Sequence, residues 1–533
     1  MDAVTSFAMA RTTRRDFLYH VLAATAAACN GGGGDTDTQG STGETGATSD
    51  ELTTGEPLPD LPADPFTLGI ASGDPLPDSV ILWTRLAPTP LADDGGMPDV
   101  AYPVAWEVAS DADFTDIIAT GSADADPAFA HSVHVDVKGL APDTWYFYRF
   151  TIGTYTSPTG RTRTTPSEGA SPAHLRFATV NCQSYADGYY TPYPHMVAED
   201  IDLVVFLGDY IYEDANAGVR DHGDVEANTL VEYRRRYALY HGDPDLRAAL
   251  ARCPWVVTWD DHEVADNYAG DISFDADPTD EFRARRAAAY RAFYEHLPLR
   301  LPPPDGPDYQ IYHALRWGDL AEFFVLDTRQ YRSDQNCMDV PAAGCDGWAD
   351  YDGTLLGDEQ ESWLTAGLAA STATWKLLAQ QVVFSTVNFG GAYVNFDQWD
   401  GYSRARQRLL DFITAEALTN VVVLSGDLHI GGLGDLTAIA ADETSPVVAA
   451  EIVTPSLSSV ASADAMAAEP LVQGLALIHY FNATRRGYAV HELTREAYTV
   501  RFFLVDTVAE PQSDGAVAVT MSIDAGVPGF RKP

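Results

Sequence analysis

The sequence is short of positive charge. Against 77 acidic residues it carries 33 lysines and arginines, a formal net charge of -44. A field of that sign repels polyanions and excludes a stable nucleic-acid partner. So many carboxylates cannot all be ligands, and most read as a solubilising acidic surface. A membrane-spanning run is missing too: the apolar, Ala-rich stretch from Leu18 to Ala28 covers eleven residues, against about 20 needed to cross a bilayer. No Gly-x-Ser-x-Gly element and no Gly-x-x-x-x-Gly-Lys loop is present, which argues against a serine hydrolase and a P-loop nucleotide site. Cysteine is scarce, at five in 533 residues.

What is present begins with "RTTRRDFLYHVLAATAAAC", where Arg14 and Arg15 precede Phe17 and Leu18. Residues 1–29 read as a twin-arginine signal peptide, with the export machinery as a partner and a location in the periplasm, at the cell surface or outside the cell. The start at Met1 or Met9 stays open. Cys29 follows small residues, as at a lipoprotein cleavage site. Position 26 is Ala where a larger aliphatic residue is usual, so lipid anchoring through Cys29 and ordinary cleavage nearby both stand. Residues 30–65 form an acidic Gly/Thr/Asp/Ser linker with too little apolar surface to repay ordering, and they are expected to be disordered. Outside the cytoplasm, Cys337 and Cys345 around "CMDVPAAGC" are a candidate loop disulfide, whereas Cys253 is read as structural.

Residues 66–166 show short alternating segments such as "VILWTRL", "VAWEVA", "HSVHVDV" and "WYFYRF", the pattern of an antiparallel β-sandwich. The turn "ASGDP" around Asp74 is expected to pack on the following domain. Over residues 172–510 apolar, β-branched strands alternate with helical spacing, as in "EYRRRYALYHGDPDLRAALA" and "EFRARRAAAYRAFYEHL". That alternation predicts an α/β catalytic domain, and residues 511–533 are left as a C-terminal extension.

Five apolar strands run straight into polar clusters. "LRFATV" meets Asn181-Cys182-Gln183, "VVFLG" meets Asp209, and "WVVTW" meets Asp260-Asp261-His262-Glu263. "FFVL" meets Asp327-Thr328-Arg329 and "VVVLSG" meets Asp427-Leu428-His429. One such cluster is an ordinary turn; five point to a composite site at the carboxyl ends of the strands. Asp209, Asp261, Asp427 and His429 are suitable donors for hard metal ions. Arg329 and Arg332 follow a strand and are candidates either to clamp a phosphate or to form a salt bridge.

"GDYIYE", "WDDHE" and "SGDLH", in this order, resemble the metal-binding blocks of calcineurin-like metallophosphoesterases, and their variants resemble the PhoD-type alkaline phosphatase family. "ASGDPLPDSVILWTRL", "LDTRQYR", "LLGDEQESWL", "DQWDGY" and "VTPSLSS" support the match. The resemblance implies a fibronectin-like N-terminal sandwich and a four-layer catalytic sandwich of two mixed β-sheets flanked by helices. It implies that Asp209 bridges two metals, that Asp261 and Asp427 serve an oxygen-preferring position suited to Ca²⁺, and that His429 sits near the other. The broader superfamily has Asp-x-His where this chain has Asn181-Cys182-Gln183, Gly-Asn-His where it has Asp261-His262, and Gly-His-x-His where it has Asp427-Leu428-His429. Cys182 and Tyr212 are anionic donors for Fe³⁺. Purple acid phosphatases place an iron-bound tyrosine in Gly-Asp-x-x-Tyr, which favours Tyr212 as ligand and leaves Tyr210 to packing.

By the same carry-over His262 contacts the phosphoryl oxygen or protonates the leaving group, and Arg329 joins it as a catalytic candidate. Gln183, Asn267, Arg406 and His479 are weaker candidates. The implied activity is that of a secreted or surface-anchored alkaline phosphatase serving phosphate acquisition. It hydrolyses phosphate monoesters and diesters by attack of a metal-bound hydroxide and releases inorganic phosphate. A phosphodiesterase or phospholipase D-like enzyme of the same family is the alternative, and a non-catalytic surface binding protein a remoter one.

Overall fold

The computed structural model describes residues 59–61, 63–337, 342–386 and 394–531. The expected signal at Arg14 and Arg15, the lipidation candidate Cys29 and nearly all of the linker lie outside the described residues. The first strands are β1 (Ile70–Leu76), β2 (Ser79–Arg85), β3 (Tyr102–Ala109), β4 (Ile117–Ala125), β5 (Ser132–Lys138), β6 (Trp145–Ile152), β7 (Tyr155–Thr156) and β8 (Gly160–Arg163). The chain then alternates through β9 (Leu175–Val180), α1 (Pro192–Val197), β10 (Leu203–Phe206), α2 (Leu230–His241), α3 (Pro244–Leu250), β11 (Trp255–Val257) and α4 (Thr279–His296). Next come β12 (His313–Trp317), β13 (Ala321–Val325), α5 (Gly357–Ala370), β14 (Trp375–Ala379), α6 (Ser403–Ala415) and β15 (Val421–Ser425). The last elements are β16 (Gly431–Thr437), β17 (Val447–Val453), α7 (Ala463–Val472), β18 (Ile478–Asn482), β19 (Gly487–Leu493), β20 (Ala497–Val505) and β21 (Gly515–Asp524).

The strands form a nine-stranded sheet in the order β21-β20-β19-β9-β10-β11-β1-β2-β5, a seven-stranded sheet in the order β12-β13-β14-β15-β17-β16-β18, and a five-stranded sheet of β4-β3-β6-β7 with β8 paired to β6. Phe177, Val205, Phe323, Leu377, Val422 and Phe502 fill one core where the two large sheets face each other. The other face of the nine-stranded sheet is covered by Tyr193, Tyr233, Leu246 and Phe293 of α1–α4. Leu364 and Leu368 of α5 and Leu409 and Ile413 of α6 cover the outer face of the seven-stranded sheet. Strands buried on both faces read as near-continuous apolar runs, as Val421–Leu424 of β15 do.

Residues on both sides of the expected boundaries contribute strands to the nine-stranded sheet. β1, β2 and β5 belong by sequence to the region 66–166, yet β1 pairs in parallel with β11 at Gly73 and Trp255 and so extends the catalytic sheet. The five-stranded sheet packs on these same strands through Val80, Leu82, Val104, Val108, Tyr148 and Phe150. β2 is therefore buried along its whole length, with Leu82 toward the small sheet and Trp83 toward the helices. Residues 511–533, expected as a C-terminal extension, also contribute a strand to the nine-stranded sheet. β21 pairs with β20 from Ala497–Asp524 to Val505–Gly515 as an edge of the nine-stranded sheet, and Phe530 is buried in the intersheet core.

Local signals set the helix ends. Thr229 and Glu232 close a capping box on α2. The stretch that reads as one helix, 232–251, is two, because Gly242-Asp243-Pro244 interrupts it: Asp243 accepts from the N–H groups of Asp245 and Leu246, and Pro244 opens α3.

Candidate metal centre

β9, β10 and β11 are adjacent parallel strands of one large sheet, and β13, β14 and β15 are adjacent parallel strands of the other. Their carboxyl ends meet. Thr258 Oγ1 donates to the Leu326 carbonyl at 3.0 Å, and Gln381 Nε2 donates to Thr258 Oγ1 at 2.8 Å, which ties the two sets of strand ends together. The five clusters therefore reach one place from two sheets.

The backbone is bent there against its preferences. Cys182, Asp209, Asp427 and His429 have φ of 51°, 60°, 65° and 58°; left-handed conformations cost L-residues roughly 1–2 kcal/mol each. Such turns swing the side chains off the strand direction and toward one another. Gly208, at φ 109°, makes room: a Cβ on it would lie 2.6 Å from the Asp260 Cβ. Gly426 does the same beside Asn181, whose Cγ would lie 2.7 Å from an added Cβ.

Three overlapping groups of donors result, each with its ligand atoms within 4.8 Å of one another: Cys182, Asp209 and His429; Asp209, Asp261 and His262; Asp260, Asp261 and Asp427. Asp209 belongs to the first two and Asp261 to the last two. Tyr212 joins the first group, its hydroxyl 2.8 Å from Asp209 Oδ2 and 3.0 Å from His429 Nε2. His429 Nδ1 lies 2.9 Å from the Val460 carbonyl, an acceptor, so Nδ1 carries the proton and Nε2 is left to ligate. Tyr210, two residues before Tyr212, points into the apolar core with Phe206 and Tyr237.

The residues present fit metal ions. Asp209 Oδ1 is buried with no hydrogen-bond partner. Asp261 Oδ1 lies 3.3 Å from Arg329 Nη2 but receives no aligned hydrogen bond. Buried orphan oxygens of this kind need a partner. Burial and the neighbouring carboxylates push the pKa of Asp209 and Asp260 well above the usual range and that of Asp427 up to about 7. Burial and the charges of Asp209 and Asp427 raise the Cys182 thiol in the same way. Each of these groups is disfavoured as an anion until a cation arrives.

Two arginines hold the carboxylates in place. Arg329 Nε donates to Asp260 Oδ1; Nη1 and Nη2 reach the two Asp397 oxygens at 2.6 and 2.9 Å, and Nη2 reaches Asp427 Oδ1 at 3.2 Å. Arg332 Nη1 donates to Asp397 Oδ1 at 2.7 Å. Burial works against the Asp397 carboxylate, but the two guanidiniums outweigh it and hold it well below the usual range. Both guanidiniums are 0% exposed. Of the two alternatives open from sequence, phosphate clamp and salt bridge, the contacts made here are salt bridges to carboxylates.

His262 stands at the mouth with its side chain 17% exposed, beside His429 at 21% and Asp427 at 12%, whereas Asp209 is at 2%. Its Nδ1 lies 2.8 Å from Glu213 Oε2, and its ring packs on Tyr212 with centroids 4.2 Å apart. Burial draws the imidazole down, but Glu213, Asp261 and Asp209 outweigh it and hold it well above its ordinary value. Glu213 is pushed up by burial and pulled down further by His262, to about 2.

The remaining candidates play supporting parts. Gln183 bonds the Tyr210 carbonyl and the Tyr193 hydroxyl, and the Asn267 N–H holds Asp261 Oδ2 at 2.7 Å. Arg406 pairs with Asp400 and His479 with Asp435, so neither reaches the donor groups. Cys337 and Cys345 form a disulfide, and Cys253 packs in the apolar core. Sequence reading missed Asp397, Gln398, Glu263 and Ser459. Gln398 Nε2 donates to Asp427 Oδ2 at 2.5 Å. Glu263 accepts from the N–H groups of Asp209, Tyr210 and Asp260. Ser459 Oγ lies 2.8 Å from the Tyr212 hydroxyl. The blocks "DQWDGY", "WDDHE" and "VTPSLSS" contain all four, but nothing in the blocks assigns a partner to them.

Two mixed sheets whose strand ends jointly present carboxylates, imidazoles, a thiol and a phenol define a metal-dependent phosphoric ester hydrolase. The model for the PhoD-like phosphatase matches residues 177–502, and that for the PhoD-like phosphatase N-terminal domain matches residues 54–166. Alkaline phosphatase D of Bacillus subtilis (strain 168) is 44% identical over 487 residues, which cover 89% of this chain and 83% of that protein. A solved structure of PhoD superposes with a TM-score of 0.85 at 42% identity, covering 89% of this chain and 93% of that one. The chain belongs to the PhoD-like phosphatase family.

Proposed function

We propose that the chain is an exported alkaline phosphatase that cleaves phosphate monoesters and diesters at a centre of Fe³⁺ and Ca²⁺. One observation carries this reading: the donor groups are unlike at their two ends. Cys182, Tyr212 and His429 gather with Asp209 at one end, a thiol, a phenol and an imidazole suited to a trivalent iron; Asp260, Asp261 and Asp427 offer only oxygen at the other, which suits calcium. Asp209 belongs to the iron end and to the group it forms with Asp261 and His262, so it would be the carboxylate available to both ions. The two large sheets with their helical coats are read as the four-layer metallophosphoesterase sandwich.

Metal ions held there supply Lewis-acid activation of water and charge neutralisation at the phosphoryl oxygens. The chain's own residues do the rest. Asp209 is fixed by its backbone N–H on Glu263 and by Tyr212 on Oδ2, so its carboxylate cannot rotate away. Glu213 orients His262 through Nδ1, which leaves Nε2 to hydrogen-bond a phosphoryl oxygen or protonate the leaving oxygen. Arg329 and Arg332 act as positioning residues for Asp260, Asp397 and Asp427 rather than as substrate contacts.

Export by the twin-arginine route is part of the proposal, with lipid anchoring through Cys29 and ordinary cleavage nearby as its two outcomes. Among the described residues no helix is long and apolar enough to cross a membrane.

Metal analysis with a visible spectrum of protein produced through its native export route tests the centre. Iron and calcium together with a thiolate- or phenolate-to-iron absorption band are expected; calcium without iron and without a band would sink the Cys182 and Tyr212 assignments. Rates on matched mono- and diesters decide the breadth of substrate, and inactivity on every diester would restrict the enzyme to monoesters.

A further inference from the structure

In a chain so poor in basic residues, three arginines share one groove of about 530 Å³ in which no lining residue among those described is acidic. Arg161, Arg247 and Arg252 line it with Phe66, Phe147 and Pro158. The groove lies between the five-stranded sheet and α3, beside Gly69 and Ile70 at the start of β1 and just before β11. β1 and β11 run in parallel, and the donor groups sit past the other end of β11. The groove therefore occupies the opposite pole from the metal centre.

None of the three guanidiniums has a carboxylate partner among the described residues. Of the acids on this side of the fold, Asp202 pairs with Arg163, Asp200 with Arg176 and Glu199 with Arg501. Arg161 stacks on the Trp145 ring, 3.5 Å from its centroid, and leaves its polar edge open. Arg247 spends only Nη1, on the carbonyls of Thr67, His241 and Gly242. Arg252 uses Nε and Nη2 on the carbonyls of Val197 and Glu199, and its Nη1 is buried with no hydrogen-bond partner. Burial first and the Arg252 charge second lower the pKa of Arg161, and Asp200 offsets them only in part. The carbonyls of Ala249 and Ala251 at the end of α3 do not supply one, because they already accept from Trp255 Nε1 and the Arg161 N–H.

We propose that this groove is a binding site for a small organic phosphate or phosphonate, its anionic head on Arg161, Arg247 and Arg252 and its apolar part on Phe66, Phe147 and Pro158. The volume is that of a small-ligand pocket, roughly 300–1,000 Å³, and guanidinium forks are the usual partners of phosphoryl oxygens. Placement at the far pole makes it a second site rather than an extension of the catalytic one.

The test is calorimetric titration of the metal-loaded full chain with phenylphosphonate, alongside inhibition of hydrolysis by the same compound. Two classes of site are expected, only one of them tracking inhibition. Arg161→Gln, which removes a guanidinium stacked on the Trp145 ring, weakens the other class by roughly tenfold or more and leaves the inhibition constant unchanged. Arg252→Gln acts in the same direction and serves should Arg161→Gln fold poorly. A single class of site in the unaltered chain, or a second class indifferent to both substitutions, overturns the proposal. Inorganic phosphate binding the groove as tightly as phenylphosphonate overturns the organic assignment.

Discussion

Replacing Arg329 by methionine separates the two roles open to it from sequence. The variant keeps the bulk of the side chain and removes a guanidinium that touches Asp260, Asp261, Asp397 and Asp427 with no exposure to solvent. Removing one partner of a buried ion pair costs about 3–5 kcal/mol, because the other charge is left uncompensated. Four carboxylates share this cation, which pushes the cost toward the upper end. Arg332 retains Asp397 at 2.7 Å, and the stranded carboxylates relieve themselves by taking up protons, so the losses do not add. A loss of about 3–5 kcal/mol is therefore expected for the chelated protein, read from urea denaturation with EDTA present. Excess Ca²⁺ is expected to restore part of it, since a cation on Asp261 and Asp427 replaces the lost charge. With saturating metal, KM for a phosphate monoester should stay near that of the unaltered enzyme. Unchanged stability together with a KM raised by roughly tenfold or more would refute this reasoning and return Arg329 to the substrate.

Three further outcomes follow from the same geometry. Asp427, Glu263 and Asp266 have folded-state pKa values raised to about 7, chiefly by burial, against about 4 for unfolded carboxylates. The folded state therefore binds more protons, and the chelated protein should lose stability as pH rises from about 4 to about 7; a urea midpoint that climbs over that range would contradict it. Tyr212→Phe should shift or abolish the visible absorption of the iron-loaded protein and Tyr210→Phe should leave it intact, because only the Tyr212 hydroxyl faces the donors; equal spectra from both variants would count against the ligand. Truncation after Glu510 should give an aggregating or unfolded product, since it strips β21 from β20 and removes Phe530 from the intersheet core; a soluble, active truncated chain would restore residues 511–533 to the status of an extension.

Sequence patterning shows its strengths and limits most clearly at β1 and β21. The alternation in 66–166 marked strands correctly, because period-two burial is a local property, as β6 shows with every second residue buried. It could not show that Gly73 pairs with Trp255, a contact across 182 positions set by which edge of the sheet is left open. β21 was missed for the opposite reason. Ala516, Val517 and Ala518 are exposed on an edge strand, and nothing in their order distinguishes them from a tail until β20 is there to pair with.

At the site, the legible residues were those that sit where a strand stops. Cys182, Asp209, Asp261 and Asp427 interrupt apolar runs, and an interruption can be seen in one dimension. Asp397 and Glu263 do as much to build the centre, yet Asp397 lies in an irregular loop and Glu263 two residues past a presumed ligand, where a charge looks ordinary. Their roles come from bonds that join separate strand ends: Glu263 holds the backbone of the β10 turn against that of the β11 turn, and Asp397 holds Arg329 against Asp260 and Asp427. Arg329 stayed open between two roles because a guanidinium after a strand has the same spelling whether it faces phosphate or carboxylate. What decides between them is the local charge balance: four carboxylates, Asp260, Asp261, Asp397 and Asp427, surround the buried Arg329, Arg332 shares only Asp397, and Asp209 adds a fifth carboxylate to the centre. That excess of negative charge binds the arginines inward and still leaves Asp209 Oδ1 without a hydrogen-bond partner. The same excess that takes the arginines away from substrate is what makes the centre a place for metal ions.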